Sequence, residues 1–78
     1  MVSANGSVFC HRQLSEQKSE IINIANINQK IVIDINQVGI YQNMAITNNM
    51  LFVLFKKNTN FIIRRYEYTR INIDLCML

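Results

Sequence analysis

The sequence predicts a mostly β fold with an N-terminal helix, in which about five short antiparallel strands form a small sheet or barrel. Three observations predict it. Apolar residues between positions 13 and 25 recur at helical spacing, whereas those after position 30 recur at every second position. Polar stretches of roughly two to five residues separate the apolar runs, as in antiparallel hairpins. With 78 residues, the chain has the length of one domain.

The first 25 residues are expected to hold a tail and the helix. Residues 1–12 contain Ser, Asn and Gly without apolar periodicity, so we expect a flexible tail before a single small domain over residues 13–78. The helix is predicted over residues 13–25, with Ser15 as a candidate cap. Its apolar face would carry Leu14, Ile21, Ile22 and Ala25.

Strands are predicted in the rest of the chain. Ile31, Ile33 and Ile35 occupy alternate positions, which is typical of a strand with one buried face. Gly39 then permits the positive φ of a tight turn. Residues 50–55 are uncharged and rich in β-formers, so we expect a central, buried strand. The other strands are predicted at 41–46, 61–68 and 71–77.

A helical coiled coil over residues 21–52 is the alternative fold. Ten positions that step by three and four from Ile21 to Phe52 include seven apolar residues, as the a and d positions of heptads do. The strand interpretation is preferred because Ile33 and Ile40 would lie outside that seam. Isoleucine and asparagine, which dominate this segment, are also mediocre helix formers.

The segment of residues 56–70 carries the clearest functional pattern. The net charge is +3, and five of the eight Lys and Arg residues lie in this segment, interleaved with aromatic residues. Cations neutralise phosphates and aromatic rings stack on unpaired bases. On a regular strand Tyr66 and Tyr68 share a face with Arg64. The sequence therefore predicts a binding module for RNA or single-stranded DNA, with its site at Lys56, Lys57, Arg64, Arg65, Tyr66, Tyr68 and Arg70.

Two other interpretations stay open. The same segment could form a solvated face of basic residues and tyrosines, opposite a packed face that carries Phe61 and Ile63. The chain could also be a structural or protein-interaction subunit of a larger assembly, viral or oligomeric, that binds no nucleic acid. Half of its residues are hydrophobic, and so small a core usually needs support from a second copy or a partner protein.

We expect neither an enzyme nor a metal or cofactor site. His11 is the single histidine and adjoins Cys10, whereas a nucleophilic pair needs defined geometry and an orienting third group. Zinc needs about four ligands, commonly in Cys-x-x-Cys or His-x-x-x-His spacing, and the sequence contains no such motif. No apolar leader or run of ~20 apolar residues is present, so we expect a cytoplasmic protein away from membranes. Reduced thiols at Cys10 and Cys76 are favoured over one disulfide.

The segment from Gly39 through Phe52-Val53 to Thr59 resembles the region around the second and third strands of Sm-like proteins of the Hfq type. The resemblance covers residues 39–59 and implies a hexameric or heptameric ring that binds RNA. Met44 stands near the family's strand-bending glycine. The sequence Tyr-Glu-Tyr at 66–68 replaces the family's Tyr-Lys-His, so no pocket residues are transferred.

Overall fold

The computed structural model describes residues 1–68 of the 78-residue chain. They form two antiparallel sheets, one with the strand order β1-β2-β3-β4 and one with the order β5-β6-β7. A single turn of helix, α1, joins the sheets. The elements are β1 (Val2–Ala4), β2 (Ser7–Gln13), β3 (Lys18–Asn23), β4 (Lys30–Asp34), α1 (Ile35–Val38), β5 (Ile40–Ile46), β6 (Leu51–Lys57) and β7 (Asn60–Tyr66).

The predicted helix over residues 13–25 is wrong. The segment contains the end of β2, a turn and the whole of β3. Ser15 caps this turn, because its Oγ accepts hydrogen bonds from the backbone N–H groups of Gln17 and Lys18 at 3.2 and 3.1 Å. Residues 2–13, where the sequence predicts a tail, form β1 and β2.

The predicted five-stranded sheet and the coiled coil over residues 21–52 are also wrong. The chain leaves the first sheet at Asp34, whose side chain accepts a hydrogen bond from the Asn36 N–H at 3.0 Å and caps α1. Gly39, at φ 112°, then directs the chain into the second sheet. Within residues 1–68 this four-residue helix is the longest, so no helical seam exists there. No helix of these residues is long and apolar enough to cross a membrane.

The strand predictions from residue 30 to residue 66 agree with β4 to β7, apart from shifts of one or two residues at their ends. Ile31 and Ile33 are buried as predicted, whereas Ile35 begins α1. The segment of residues 67–68 lies beyond β7. The predicted strand over 71–77 lies outside the described residues.

One hydrophobic cluster lies between the two sheets. Alternate residues of β6 point into it, because strand side chains alternate between faces. Burying one large apolar side chain contributes about 1.5–3 kcal/mol to folding. Its buried members are Phe9, Ile21, Ile31, Ile33, Met44, Leu51, Val53, Phe55, Tyr66 and Tyr68.

Buried polar groups close the end of this core. The Asn23 side-chain oxygen accepts from the backbone N–H groups of Val8 and Ala25, each at 3.0 Å. The Asn23 Nδ2 donates to the Gln29 Oε1 at 2.9 Å, and the Gln29 Nε2 donates to the Tyr68 carbonyl oxygen. This network ties the first sheet to the segment that follows β7.

Candidate binding surface

The strand register of the second sheet separates an inner from an outer face. Leu51, Val53 and Phe55 of β6 face the core, so the residues between them face outward. Pairing with β5 and β7 arranges the outward side chains in three rows of three. We call this surface the outer face, and its members are Ile40, Lys56 and Phe61; Asn43, Leu54 and Ile63; and Ala45, Phe52 and Arg65.

A β-bulge in β5 determines which residues of this strand belong to the outer face. The register shifts between Tyr41 and Asn43, so Gln42 is the extra residue. Because of this insertion, Tyr41 packs against the core cluster although Met44, three positions later, is buried in it as well. The same shift places Asn43 opposite Leu54 in the central row of the outer face.

The outer face is apolar and open to solvent within the described part of the chain. Ile40, Phe61 and Ile63 are 58%, 62% and 67% exposed. A shallow cavity of about 200 Å³ lies between the strands, lined by Asn43, Met44, Ala45, Phe52, Val53, Leu54 and Ile63. Single exposed apolar residues are common on soluble proteins, whereas a contiguous apolar group is typical of an interaction site.

Two cations lie at opposite ends of the outer face. The Lys56 Nζ lies 5.7 Å from the centroid of the Phe61 ring, within the range of a cation–π interaction. Arg65 pairs with Phe52 in the row at the other end. The two rows are four positions apart along β6, which corresponds to about 13 Å along the strand. No member of the outer face is acidic.

The structure divides the predicted nucleic-acid residues between different surroundings. Lys56 and Arg65 belong to the outer face. Lys57 is exposed but its Nζ donates to the Gln37 carbonyl oxygen at 3.1 Å. Arg64 is half-buried and pairs with the buried Val53, so its side chain is on the inner face. Arg70 lies outside the described residues.

Tyr66 and Tyr68 do not form the predicted stacking surface, because both are buried at 3% and 4% exposure. The Tyr68 ring packs edge-on against Phe9 with centroids 5.3 Å apart. Phe61 and Ile63, which the alternative interpretation of a solvated basic face placed on its packed side, are exposed. The aromatic residues available to a ligand are therefore Phe61 and the half-buried Phe52, which the sequence interpretation did not select.

The exchange of the predicted exposed and buried faces of β7 has a physical cause in the neighbouring strand β6. Its two faces both carry large apolar residues, with Leu51, Val53 and Phe55 on one and Phe52 and Leu54 on the other. Hydropathy therefore gives no signal for which face meets the core. Packing of the first sheet against β6 decides it, and the pairing of Leu51 with Tyr66 then places Tyr66 on the buried side.

His11 and Tyr41 form a second cluster, where the two sheets meet. Their rings stack with centroids 4.0 Å apart and planes 10° from parallel. The His11 Nε2 is buried without a hydrogen-bond partner in the described structure. Burial lowers the pKa of His11, and burial together with the nearby Cys10 raises the pKa of Tyr41.

This cluster shows packing rather than an assembled nucleophilic site. Cys10 is a half-buried free thiol, and Cys76 lies outside the described residues. Residues 1–68 contain no group of three or more His, Cys, Asp or Glu side chains placed to hold a metal ion.

Comparisons of the chain with protein-family models, curated proteins and solved structures found no match. The outer face is therefore interpreted from its own chemistry.

Proposed function

We propose that this protein is a binding module that docks onto another protein through the outer face, as one subunit of a larger assembly. The joint exposure of Ile40 on β5 and of Phe61 and Ile63 on β7, on the same face of one sheet, carries the proposal. Water contact with such side chains is unfavourable, and covering them releases free energy in proportion to the apolar area removed from water. A partner that buries this face would use that free energy for binding.

The location of the exposed residues supports docking. The other exposed large apolar side chains of the described chain lie at the N-terminus, on the first sheet or in its connecting turns, as Val32, Leu14 and Ile27 do. The outer face instead carries three of them on one sheet surface, with Ile63 lining the shallow cavity and a packed core beneath the sheet. A rigid, preformed surface of this kind loses little conformational entropy when a partner binds.

Site-specific photocrosslinking in the native host cell tests the proposal. A photoreactive phenylalanine analogue at position 63 is expected to give a discrete adduct with a protein. The matched control places the analogue at position 32, because Val32 is exposed on the first sheet. Replacing Phe61 with Ser should remove the adduct from position 63. The same adducts from both positions, or no protein adduct from position 63, would contradict docking through the outer face.

Nucleic-acid binding is the second candidate function, and the distribution of charge favours it. Residues 1–34 carry three cations and three carboxylates, whereas residues 35–68 carry four cations against one carboxylate. The net positive charge of the described chain therefore lies in the half that contains the second sheet. In this candidate Lys56, Lys57 and Arg65 neutralise phosphates, and Phe61 replaces the buried tyrosines as the stacking residue.

Fluorescence anisotropy with a labelled single-stranded oligonucleotide tests this candidate. Binding through phosphates weakens as salt rises from about 50 mM to about 200 mM. Replacing Lys56, Lys57 and Arg65 with Gln should flatten that salt dependence. Equal binding by the triple variant at low salt would exclude these cations as the site.

The ring implied by the Sm-like resemblance stays a prediction, although the helix-then-five-strand order that accompanied it is not present in the structure. Light scattering coupled to size-exclusion chromatography after nuclease treatment measures the native mass. Six or seven copies of the 9.1 kDa chain would support the ring and make RNA the first ligand to test. A monomer or dimer would remove the ring and leave the docking proposal in place.

A further inference from the structure

We propose that the partner presents an amphipathic helix to the outer face, with an apolar stripe bounded by acidic residues two to three turns apart. This inference rests on the proposed docking function. It specifies the chemistry of the partner from the shape of the face, its apolar centre and its two cations.

The charges of the outer face favour an acidic partner. Lys56 and Arg65 lie at its two ends, and neither forms an ion pair with a carboxylate among residues 1–68. The ion pair that the structure shows, between Arg12 and Glu20, lies on the first sheet. A ligand that brings carboxylates to both ends of the outer face would pair with both cations while its centre buries Leu54 and Ile63.

The surface is the face of a sheet, which favours a helix over a single extended strand. A strand laid across a sheet face would leave its own backbone N–H and C=O groups without partners. A helix satisfies these groups internally and presents a continuous apolar stripe, which is the usual way that helices cover sheets. The rows of Lys56 and Arg65 are about 13 Å apart, the rise of roughly nine helical residues or two to three turns.

A second copy of this chain fits the outer face less well. In a face-to-face dimer with twofold symmetry, each outer face would bring only cations and no carboxylate to the other. Nucleic acid would satisfy the cations and meet Phe61 at one end, but the central row of Asn43, Leu54 and Ile63 offers it neither a cation nor an aromatic ring. An apolar stripe with acidic borders complements both the centre and the ends.

Selection from a library of randomised helical peptides tests the inference before the partner is identified. The full-length chain is the bait, and binders that also bind an Ile63→Asp variant are discarded. The expected peptides carry an apolar stripe with Glu or Asp two to three turns apart. Their affinity should fall about tenfold for the double variant Lys56→Glu/Arg65→Glu, because each exposed charge pair is replaced by repulsion.

A matched double variant controls for net charge. Lys18 and Lys30 are exposed cations of the first sheet, so Lys18→Glu/Lys30→Glu changes the total charge equally and should leave affinity within about twofold. Peptides in which Lys replaces the acidic residues should regain affinity for the Lys56→Glu/Arg65→Glu protein. Circular dichroism verifies that every variant is folded.

The outcomes separate this inference from the proposed function. Peptides that require Ile63 but lack the acidic pattern, or that bind the two double variants equally, would overturn the helix chemistry and leave docking intact. A selection that yields no peptide dependent on the outer face would contradict docking itself.

Discussion

The Tyr68 hydroxyl donates a hydrogen bond to the Thr47 carbonyl oxygen at 2.6 Å, at the turn between β5 and β6. Replacing Tyr68 with Phe keeps the ring against Phe9 and removes only this bond. We expect a loss of about 1 kcal/mol in the free energy of unfolding, measured by urea titration. Tyr41→Phe is the control at a half-buried tyrosine. An unchanged unfolding free energy for Tyr68→Phe would contradict a stabilising hydrogen bond between this hydroxyl and Thr47.

His11 makes the stability of the protein depend on pH. Burial lowers the pKa of the folded-state imidazole below its ordinary value of 6.5. The unfolded chain therefore takes up the proton first, and stability falls as the pH drops through and below 6.5. The titratable neighbour Tyr41, whose ring stacks on the imidazole, has a raised pKa, so its hydroxyl stays neutral in this range.

Replacing His11 with Phe tests this dependence. The variant keeps a ring against Tyr41 but has no proton to gain. Urea titrations between pH 7.5 and pH 5 should show a smaller loss of stability for the variant than for the natural chain. Identical pH profiles for the two proteins would show that the imidazole remains solvated in the folded state.

Single residues also show how far sequence reasoning reaches. The alternation that pairs Tyr66 with Arg64 on one face of a strand was predicted, and the structure confirms it. The prediction that this face is exposed was wrong. Both faces of β6 carry large apolar residues, so the local pattern does not show which face meets the core. Long-range packing sets that choice, and it places Tyr66 and Arg64 on the inner side.

At the scale of elements, Gly39 controls the passage from α1 into the second sheet. Its φ is 112°, and a Cβ at this position would lie 2.8 Å from the Lys56 carbonyl oxygen. Gly39→Ala therefore combines backbone strain with a clash against a paired strand, and we expect a loss of about 2–3 kcal/mol. Gly6→Ala is the control, because φ there is 79° but no atom lies within 4 Å.

Thermal and urea unfolding of both glycine variants measure this difference. The Gly39 variant should unfold at a clearly lower urea concentration than the Gly6 variant. In the Gly6 variant only the strained backbone conformation lowers the free energy of unfolding, because the added Cβ meets no other atom. Equal destabilisation would mean that the contact with Lys56 is relieved without cost.

Strands were predicted correctly where apolar and polar residues alternate or where the chain is continuously apolar. They were missed where a strand forms only because of its pairing with other strands. The period of two in β4 and the apolar run in β6 identified those strands. Residues 13–25 contain few apolar positions, and their helical spacing is produced by a turn capped by Ser15 between two strands. Strand β3 forms because it pairs with β2 on one side and β4 on the other, and such long-range pairing leaves no local signal.

At the scale of the whole molecule, the division into two sheets creates the outer face. A single closed barrel of five strands would have placed one face of every strand inside. In the observed fold, the first sheet covers only the inner face of the second sheet. The other face keeps its apolar residues and two cations in contact with solvent among the described residues, and the proposed docking depends on this arrangement.

The rate of thiol labelling at position 63 tests this arrangement most directly. Cysteine is introduced as Ile63→Cys, or as Val53→Cys on the inner face, in a chain whose own cysteines are replaced by serine. The structure predicts labelling of position 63 at nearly the rate of the unfolded chain and strong protection of position 53, because Ile63 is 67% exposed and Val53 is fully buried. Protection of position 63 comparable to that of position 53 would contradict an open outer face and, with it, the proposed docking function.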